Sequence, residues 1–541
     1  IKQFVPYVGA DEGSRRWTYD LLDRVKTDRL YTAGGVIERE TSYAYSGLSS
    51  TVTDPLNHAS TQTLSAWGDV LSVTDATSGV VSHQYNAFGE LKQTRDAANN
   101  VVASVSYIDA RGLRTGLQDM NLGNWAFVPN ALGEVVIQTD AKTQQTTFEY
   151  DLLGRLKKRI EPNLDGSPGT STWTWGTSAT LDEIDRLKSV SGPGYSENRE
   201  YDTVGRLKKR SITVDSTTFH FDFAYNSIGE LDTLTYPTST ASTRFKLKYE
   251  YANGYLAAIR EFTGDSLNTT FWALNELNPR GQAIDEVYGN GLWLQTHFKP
   301  LTGEVATRKS GTGGSETNVQ DLSYTWDTAG NLTVRNDLRQ AISESADYDA
   351  LNRMWRTVGP AGTFTVDYDA IGNVTSRSDV AGADWTYDAT KKNAVRIAGP
   401  NNYDYDANGN MTSRNSGTQT WTSANLPATL TSGGLSTVFS YAPDRSRWKQ
   451  VANYSGGALE TTLFIGGLLE KHTTTIPART HWKHLIATPS GQVQHVRRDN
   501  GTTDTYRGEV KKVGPGDIRR HGHGRYVGTD GRMYEGGYHF D

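Results

Sequence analysis

The sequence predicts an all-β fold, an array of β-hairpins in series. Three observations predict it: a short turn motif that returns many times, a composition rich in Tyr and Gly, and the lack of any sustained helical period. At 541 residues the chain is longer than one hydrophobic core supports, so several domains or a repeat array are expected. Its 54 Gly and 28 Tyr, with aromatics at 10%, favour strands and tight turns. Apolar residues with Tyr make up only 36%.

The motif is Tyr150-Asp151-x-x-Gly154-Arg155-Leu156, repeated as Tyr201-Asp202-x-x-Gly205-Arg206-Leu207 and Tyr225-Asn226-x-x-Gly229-Glu230-Leu231. A second form carries Asn after the Gly: Trp326-Asp327-x-x-Gly330-Asn331-Leu332, Tyr368-Asp369-x-x-Gly372-Asn373-Val374 and Tyr405-Asp406-x-x-Gly409-Asn410-Met411. Looser copies start at Tyr19, Tyr85 and Tyr348, with Asp23 or Asn352 at the Gly position in two of them. Asp or Asn suits the first position of a type I turn, and Gly the fourth, where a left-handed backbone follows; Asn and Asp are the next best there. Tyr before the turn and Leu, Val or Met after it then face each other across a hairpin. Where the motif is most regular it recurs every ~20 residues, the scale of architectures whose units bury their faces against neighbours. A coiled β-array follows.

Segments between motifs agree. Ser211 to Thr218 and Thr473 to Thr475 carry β-branched residues without helical spacing. The Gly and Ser cluster from Ser310 to Ser315 reads as a linker or as a long loop between hairpins.

Serial motifs of this kind resemble the YD repeats of Rhs proteins, of Tc-toxin components and of teneurin shells. The resemblance covers most of the chain and is strengthened by Tyr441 to Arg447 and by Phe464-Ile465-Gly466-Gly467-Leu468, which are similar to stretches late in bacterial Rhs repeat regions. It implies a β-sheet spiral closing into a hollow shell over 1–506, non-catalytic, that encloses or presents a C-terminal toxic cargo for delivery to competitor or host cells. The partners it implies are that cargo or a component of the secretion machinery, and the place implied is secreted or at a bacterial cell surface. The D-P-x-G motif at which such shells cleave themselves is missing. Asp54-Pro55 is followed by Leu56-Asn57 and reads as a turn.

After Tyr506 the resemblance stops, and 507–541 is set apart as a divergent tail. Gly522-His523-Gly524-Arg525-Tyr526 and Asp530-Gly531-Arg532-Met533-Tyr534-Glu535-Gly536 resemble one MORN repeat, a short hairpin. His521, His523 and His539 with Asp530 and Glu535 offer imidazole and carboxylate ligands, but in no spacing of a closed metal site, so neither metal nor cofactor is expected.

Charge and composition exclude further classes. The balance of 55 basic and 61 acidic residues gives a net charge of -6 with interspersed signs, which points to neither nucleic acid nor an anionic membrane. No apolar run reaches the ~20 residues of a membrane span. Ile1 to Gly9 lack the basic and apolar segments of a signal peptide. Without Cys there is no disulfide or thiolate chemistry. Phosphate loops, nucleophile elbows and zinc-protease motifs are absent from the sequence. Two alternatives remain. Exposed aromatics such as Trp125, or Trp173 and Trp175 on one strand face, could bind glycans. A carboxylate pair could make the chain a glycan-active enzyme, although the recurrent Asp151, Asp202, Asp327, Asp369 and Asp406 are already explained as turn-formers.

Overall fold

The structure, a computed structural model, describes residues 2–4, 13–107, 111–162, 168–239, 244–264, 266–380, 385–498, 503–514, 517–527 and 533–538, the last stretches as backbone only. Among these residues the regular structure is β-strand apart from a 3₁₀ turn at Ser455–Gly457. The strands form one 33-stranded and one 15-stranded sheet, dividing between Val374–Arg377 and Thr386–Tyr387.

Within each sheet the strands pair antiparallel with their neighbours in sequence, as in Gln145–Tyr150 with Leu156–Pro162 and then Pro168–Trp175. The result is a ribbon one hairpin wide. Because its turns alternate sides, the ribbon has a motif edge, carrying the Asp-x-x-Gly turns, and a far edge. The 310–315 segment is a far-edge turn, with Ser310 and Thr312 buried.

Contacts distant in sequence show how the ribbon travels. Arg39 reaches Glu304 across 265 residues, Asn121 reaches Asn393 across 272, and Arg445 reaches Glu161 across 284. Partners advance together along the chain, so the ribbon coils and lies against itself after one turn. In each of these pairs the earlier residue is on the far edge and the later one on the motif edge. The coil then tightens: Tyr236 meets Leu485 across 249 residues and Tyr288 meets Ser490 across 202.

Tightening changes the packing from edge contact to overlap. From 28 to 126 none of the described residues is buried, and the sheet is a single layer. From about 190 onward the far-edge half of the first coil is covered by the second coil. Phe221, Tyr236, Phe245, Leu247, Ile259, Phe271 and Trp272 pack there with Trp482, Ile465, Leu469 and Ile486. Buried side chains of the two sheets share one cluster there, which is how a two-layer core forms.

Candidate functional site: the motif edge and the seam between coils

The motif turn is closed by its own Asp. Asp151 N donates to Arg155 O at 2.9 Å and Gly154 N to Asp151 O at 3.0 Å, while Asp151 Oδ1 accepts the backbone amides of Leu153 and Arg155 at 2.9 and 3.0 Å. Gly154 sits at φ 75°, and Asp23 and Asn352, where Gly is replaced, at 58°. Asp202, Asn226, Asp327, Asp369 and Asp406 accept in the same way from the residue after the left-handed position. The Arg155 side-chain bond holds the Asp151 carboxyl below the usual carboxylate range.

Tyr before the turn does two jobs. Tyr150 lies opposite Leu156, Tyr201 opposite Leu207 and Tyr225 opposite Leu231. Its hydroxyl also crosses to the preceding hairpin: Tyr150 donates to Val135 O at 3.0 Å, Tyr201 to Leu187 O at 2.7 Å, Tyr225 to Leu207 O at 2.9 Å and Tyr368 to Met354 O at 2.7 Å. Trp326 makes the equivalent bond through its indole N–H, to Val305 O. These bonds tie consecutive motif turns into a ladder. Sequence spacing assigned the aromatic its packing partner, whereas the hydroxyl's partner, some 14 to 18 residues back, had no signal in it.

The two forms of the motif occupy different places. Gly-Arg turns stand on the motif edge of the first coil, where Arg155 and Arg206 clamp their own Asp through Nε at 2.7 Å and lie over Trp175 and Tyr225 at 5.0 and 4.5 Å. Gly-Asn turns stand in the seam. Asn331, Asn373 and Asn410 donate to their own Asp327, Asp369 and Asp406. They also bond the next turn: Asn331 to Asn352 Oδ1, Asn373 to Lys392 O and Asn410 to Asn425 Oδ1. A short amide fits where the preceding coil lies close.

The far edge of the first coil supplies the other half of the seam. Buried Asn408 donates to Asp140 Oδ2 at 2.7 Å, Lys142 pairs with Asp406 at 3.3 Å, and Lys391 Nζ donates to Asn121 O at 2.8 Å. Arg445 forms a two-pronged bond with Glu161, and Arg159 donates to Pro443 O. A Cβ on Gly409 would lie 2.4 Å from Asn121 O, so this left-handed Gly, φ 83°, also permits close approach of the coils. The far-edge turns have a motif of their own that sequence reading missed. Asp54, Asp75, Asp96 and Asp140 cap the second and fourth amides after them, with Asn57, Ser78, Asn99 and Thr143 at positive φ. Its signal was an Asp followed by Pro or Ala and, three places on, by Asn, Ser or Thr. Asp54-Pro55 is thus one turn of this series.

In the overlap the seam buries polar groups as well. Glu286, 1% exposed, accepts from Trp272 Nε1 at 2.7 Å and from Ser490. His472 bonds Glu470 at 2.8 Å and Thr462 at 3.1 Å and stacks on His481 at 4.5 Å. Burial pushes the Glu470 carboxyl up, but the His472 bond and nearby Lys483 outweigh it and hold it below its ordinary value.

The remaining sequence candidates find plain roles. Trp173 packs against the buried core beside Arg159, Trp175 donates to Leu156 O at 3.0 Å, and Trp125 donates to Leu122 O at 3.1 Å. Among the described residues no three His, Asp or Glu gather as metal ligands, and no helix is long and apolar enough to cross a membrane. The side chains of His521, His523, Asp530, Glu535 and His539 lie outside the described residues. The backbone of the proposed MORN-like unit pairs as a hairpin, Val527 with Met533 and Gly522 with Tyr538.

No family model matches this sequence, and no curated protein does. Solved structures do match. The crystal structure of TcdB2-TccC3 without its hypervariable C-terminal region superimposes with a TM-score of 0.77 at 14% identity, over 96% of this chain and 30% of that one. The TcdB2-TccC3-Cdc42 structure gives 0.79 and the Photorhabdus luminescens Tc holotoxin pore 0.76, at the same identity and coverage. The chain therefore has the all-β fold found in these Tc-toxin structures and spans just under a third of their length.

Proposed function

We propose that this protein is a wall: a non-catalytic, toxin-associated scaffold of the Rhs and Tc type, whose coiled ribbon encloses or presents a polypeptide cargo. The observation that carries this reading is the seam. A single-layer ribbon whose far edge bonds to its own motif edge one turn later makes a continuous curved surface. Such a surface is stable without a core behind it, because its backbone groups are satisfied strand to strand and its turns by their own Asp. Likeness of fold to TcdB2-TccC3 supports the same reading. The carboxylates that recur along the chain are engaged in turns and in the seam, which leaves the wall to act by shape. In this reading cargo is held by many weak contacts, and the protein works outside the cell that makes it or at that cell's surface.

Small-angle scattering and electron micrographs of the purified chain test the proposal. An open or hollow coil is expected, together with protection from protease of a loosely folded passenger fused after residue 541. A solid particle, or a passenger digested as fast as the free passenger, would overturn it.

A further inference from the structure

Five consecutive strands of the single-layer ribbon carry one row of neutral polar side chains in register. Gln84 lies opposite Gln93, Gln93 opposite Ser104, Ser104 opposite Gln118 and Gln118 opposite Asn124. Directly paired residues share a face, so four amides and a hydroxyl stand side by side from Val80–Tyr85 to Gly123–Pro129, at about 5 Å spacing. Gln84 precedes Tyr85, and strand alternation therefore puts the row on the face opposite the motif tyrosines. The next row towards the motif edge is Ser106, Gly116 and Ala126. All three are small, which leaves the amides open on that side.

Towards the far edge the row borders a cleft of about 470 Å³, walled by Thr390 and Lys391 of the second coil, with Val101 and Met120 in its lining. The charged groups of the cleft are already committed to the seam and to a turn. Lys391 Nζ donates to Asn121 O and Ala407 O, both at 2.8 Å, and Asp119 Oδ1 accepts the amides of Asn121 and Leu122 at 2.8 Å. The row is not committed in this way. Elsewhere on the same face paired hydroxyls bond each other, as in Thr51 with Thr61, Thr172 with Ser191 and Thr213 with Thr218, each at 2.8 Å. In the row, Ser104 Oγ donates to Gln118 Oε1 at 3.3 Å, and among the described residues Gln84, Gln93 and Asn124 make no side-chain hydrogen bond.

We infer that this cleft and its amide row bind a neutral, extended oligosaccharide. An amide side chain both donates and accepts, which matches a sugar hydroxyl, whereas a carboxylate only accepts and an ammonium only donates. Strand spacing sets the amides at intervals close to the length of one pyranose unit, so successive sugars meet successive strands. Val101 and the adaptable Met120 offer apolar contact to the C–H faces of the rings. With Lys391 and Asp119 engaged elsewhere, no free charge selects an ionic ligand. Because Thr390 and Lys391 belong to the second coil, a bound sugar touches both coils. This inference does not depend on the chain holding a cargo.

A printed array of neutral and acidic oligosaccharides, followed by calorimetric titration with the neutral glycan that binds most strongly, tests it. Wild type should bind neutral glycans longer than a disaccharide. The double variant Gln93→Ala, Gln118→Ala should bind the titrated glycan about 10-fold more weakly, while Thr218→Ala, on the same face but outside the cleft, should bind it as wild type does. The single change Asn124→Ala, at an exposed side chain, should weaken binding by about 3-fold and gives the same reading should the double variant melt early. Hydrogen exchange with the glycan bound should slow at 118–124 and at 388–393 together. An array without neutral hits, or with acidic hits alone, would overturn the inference. So would a glycan held equally well by the double variant and by Asn124→Ala, or one that protects neither of the two segments, since the sugar would then sit elsewhere.

Discussion

Residues 28–126 and the overlap beginning near residue 190 are the same ribbon built with the same turns, yet the first has no buried residue among those described while the second holds Phe221, Phe271 and Trp272 at 0% exposure. The difference teaches that the repeat does not need a core. Hairpin hydrogen bonds, capped turns and the Tyr ladder satisfy the polar backbone locally, and apolar burial is added only where the coil tightens enough to overlap itself. A ribbon with a firm overlapped part and a lightly packed remainder follows.

The largest expected effect breaks the overlap. Trp272→Ala removes a buried ring and one of the donors to Glu286, and should cost about 3 to 5 kcal/mol; Trp421→Ala, in a stretch of the second coil with no buried residue from 409 to 427, should cost much less. Hydrogen exchange followed by mass spectrometry checks this: the Trp272 change should expose amides throughout 207–295, and the Trp421 change only those of its own hairpins. Equal, global loss of protection in both would erase the distinction between the regions.

Next comes the seam. Asn408→Ala should cost about 1 to 3 kcal/mol, since Asp140 loses a buried donor, and should raise exchange at the 140–144 turn, some 268 residues away in sequence. Protection unchanged at that turn would remove the coil-to-coil bond from the account.

Smaller still are the single-turn changes. Gly372→Val places a β-branched residue at φ 90° in open space, so its cost of about 1 to 2 kcal/mol reports backbone strain alone; an unaltered melting temperature would refute that reading of the turn. Tyr150→Phe should cost about 1 kcal/mol by removing one hydroxyl bond, and should loosen the 130–134 and 151–155 turns together.

Titration gives the mildest and most distributed effect. Asp20 and Asp151 are held below the ordinary carboxylate range by their Arg partners, and Asp388 is lowered to about 2 by the backbone amides of Lys391 and Thr390. A pKa lowered on folding means stability that is complete above the unfolded carboxylate value and lost as pH falls through the folded one. The lightly packed coil, which leans most on these turns, should therefore loosen first as pH drops from about 4 towards about 2. Burial raises Tyr150 and Tyr225, so their contribution is complete below about pH 10 and is lost as pH rises through the folded values. Dichroism against pH should show a plateau between these limits, and acid loosening that began in 207–295 would reverse the proposed order.

Much of this was written locally. Asp151 and Gly154 specify a turn because one side chain can cap amides two and four residues on, and because only a few residue types accept a left-handed backbone. Five residues contain the whole instruction. The second series at Asp54, Asp75, Asp96 and Asp140 is equally local, and went unread because its left-handed position is filled by Asn, Ser or Thr in place of Gly. The partners of Tyr150 and Asn410, one hairpin away, require the ladder to exist before they can be named.

Sequence alone determined that this chain is a train of hairpins and which residues form its turns. Tertiary structure decided that Gly-Arg turns lie outside the seam that Gly-Asn turns enter, that Asn408 meets Asp140, and that one stretch of ribbon gains a core while another has no buried residue among those described. The reason is geometric. A turn is fixed by atoms within a few residues, whereas the path of the coil accumulates from a small twist and bend at every strand and bulge, and only their sum over more than 200 residues brings two distant edges into register.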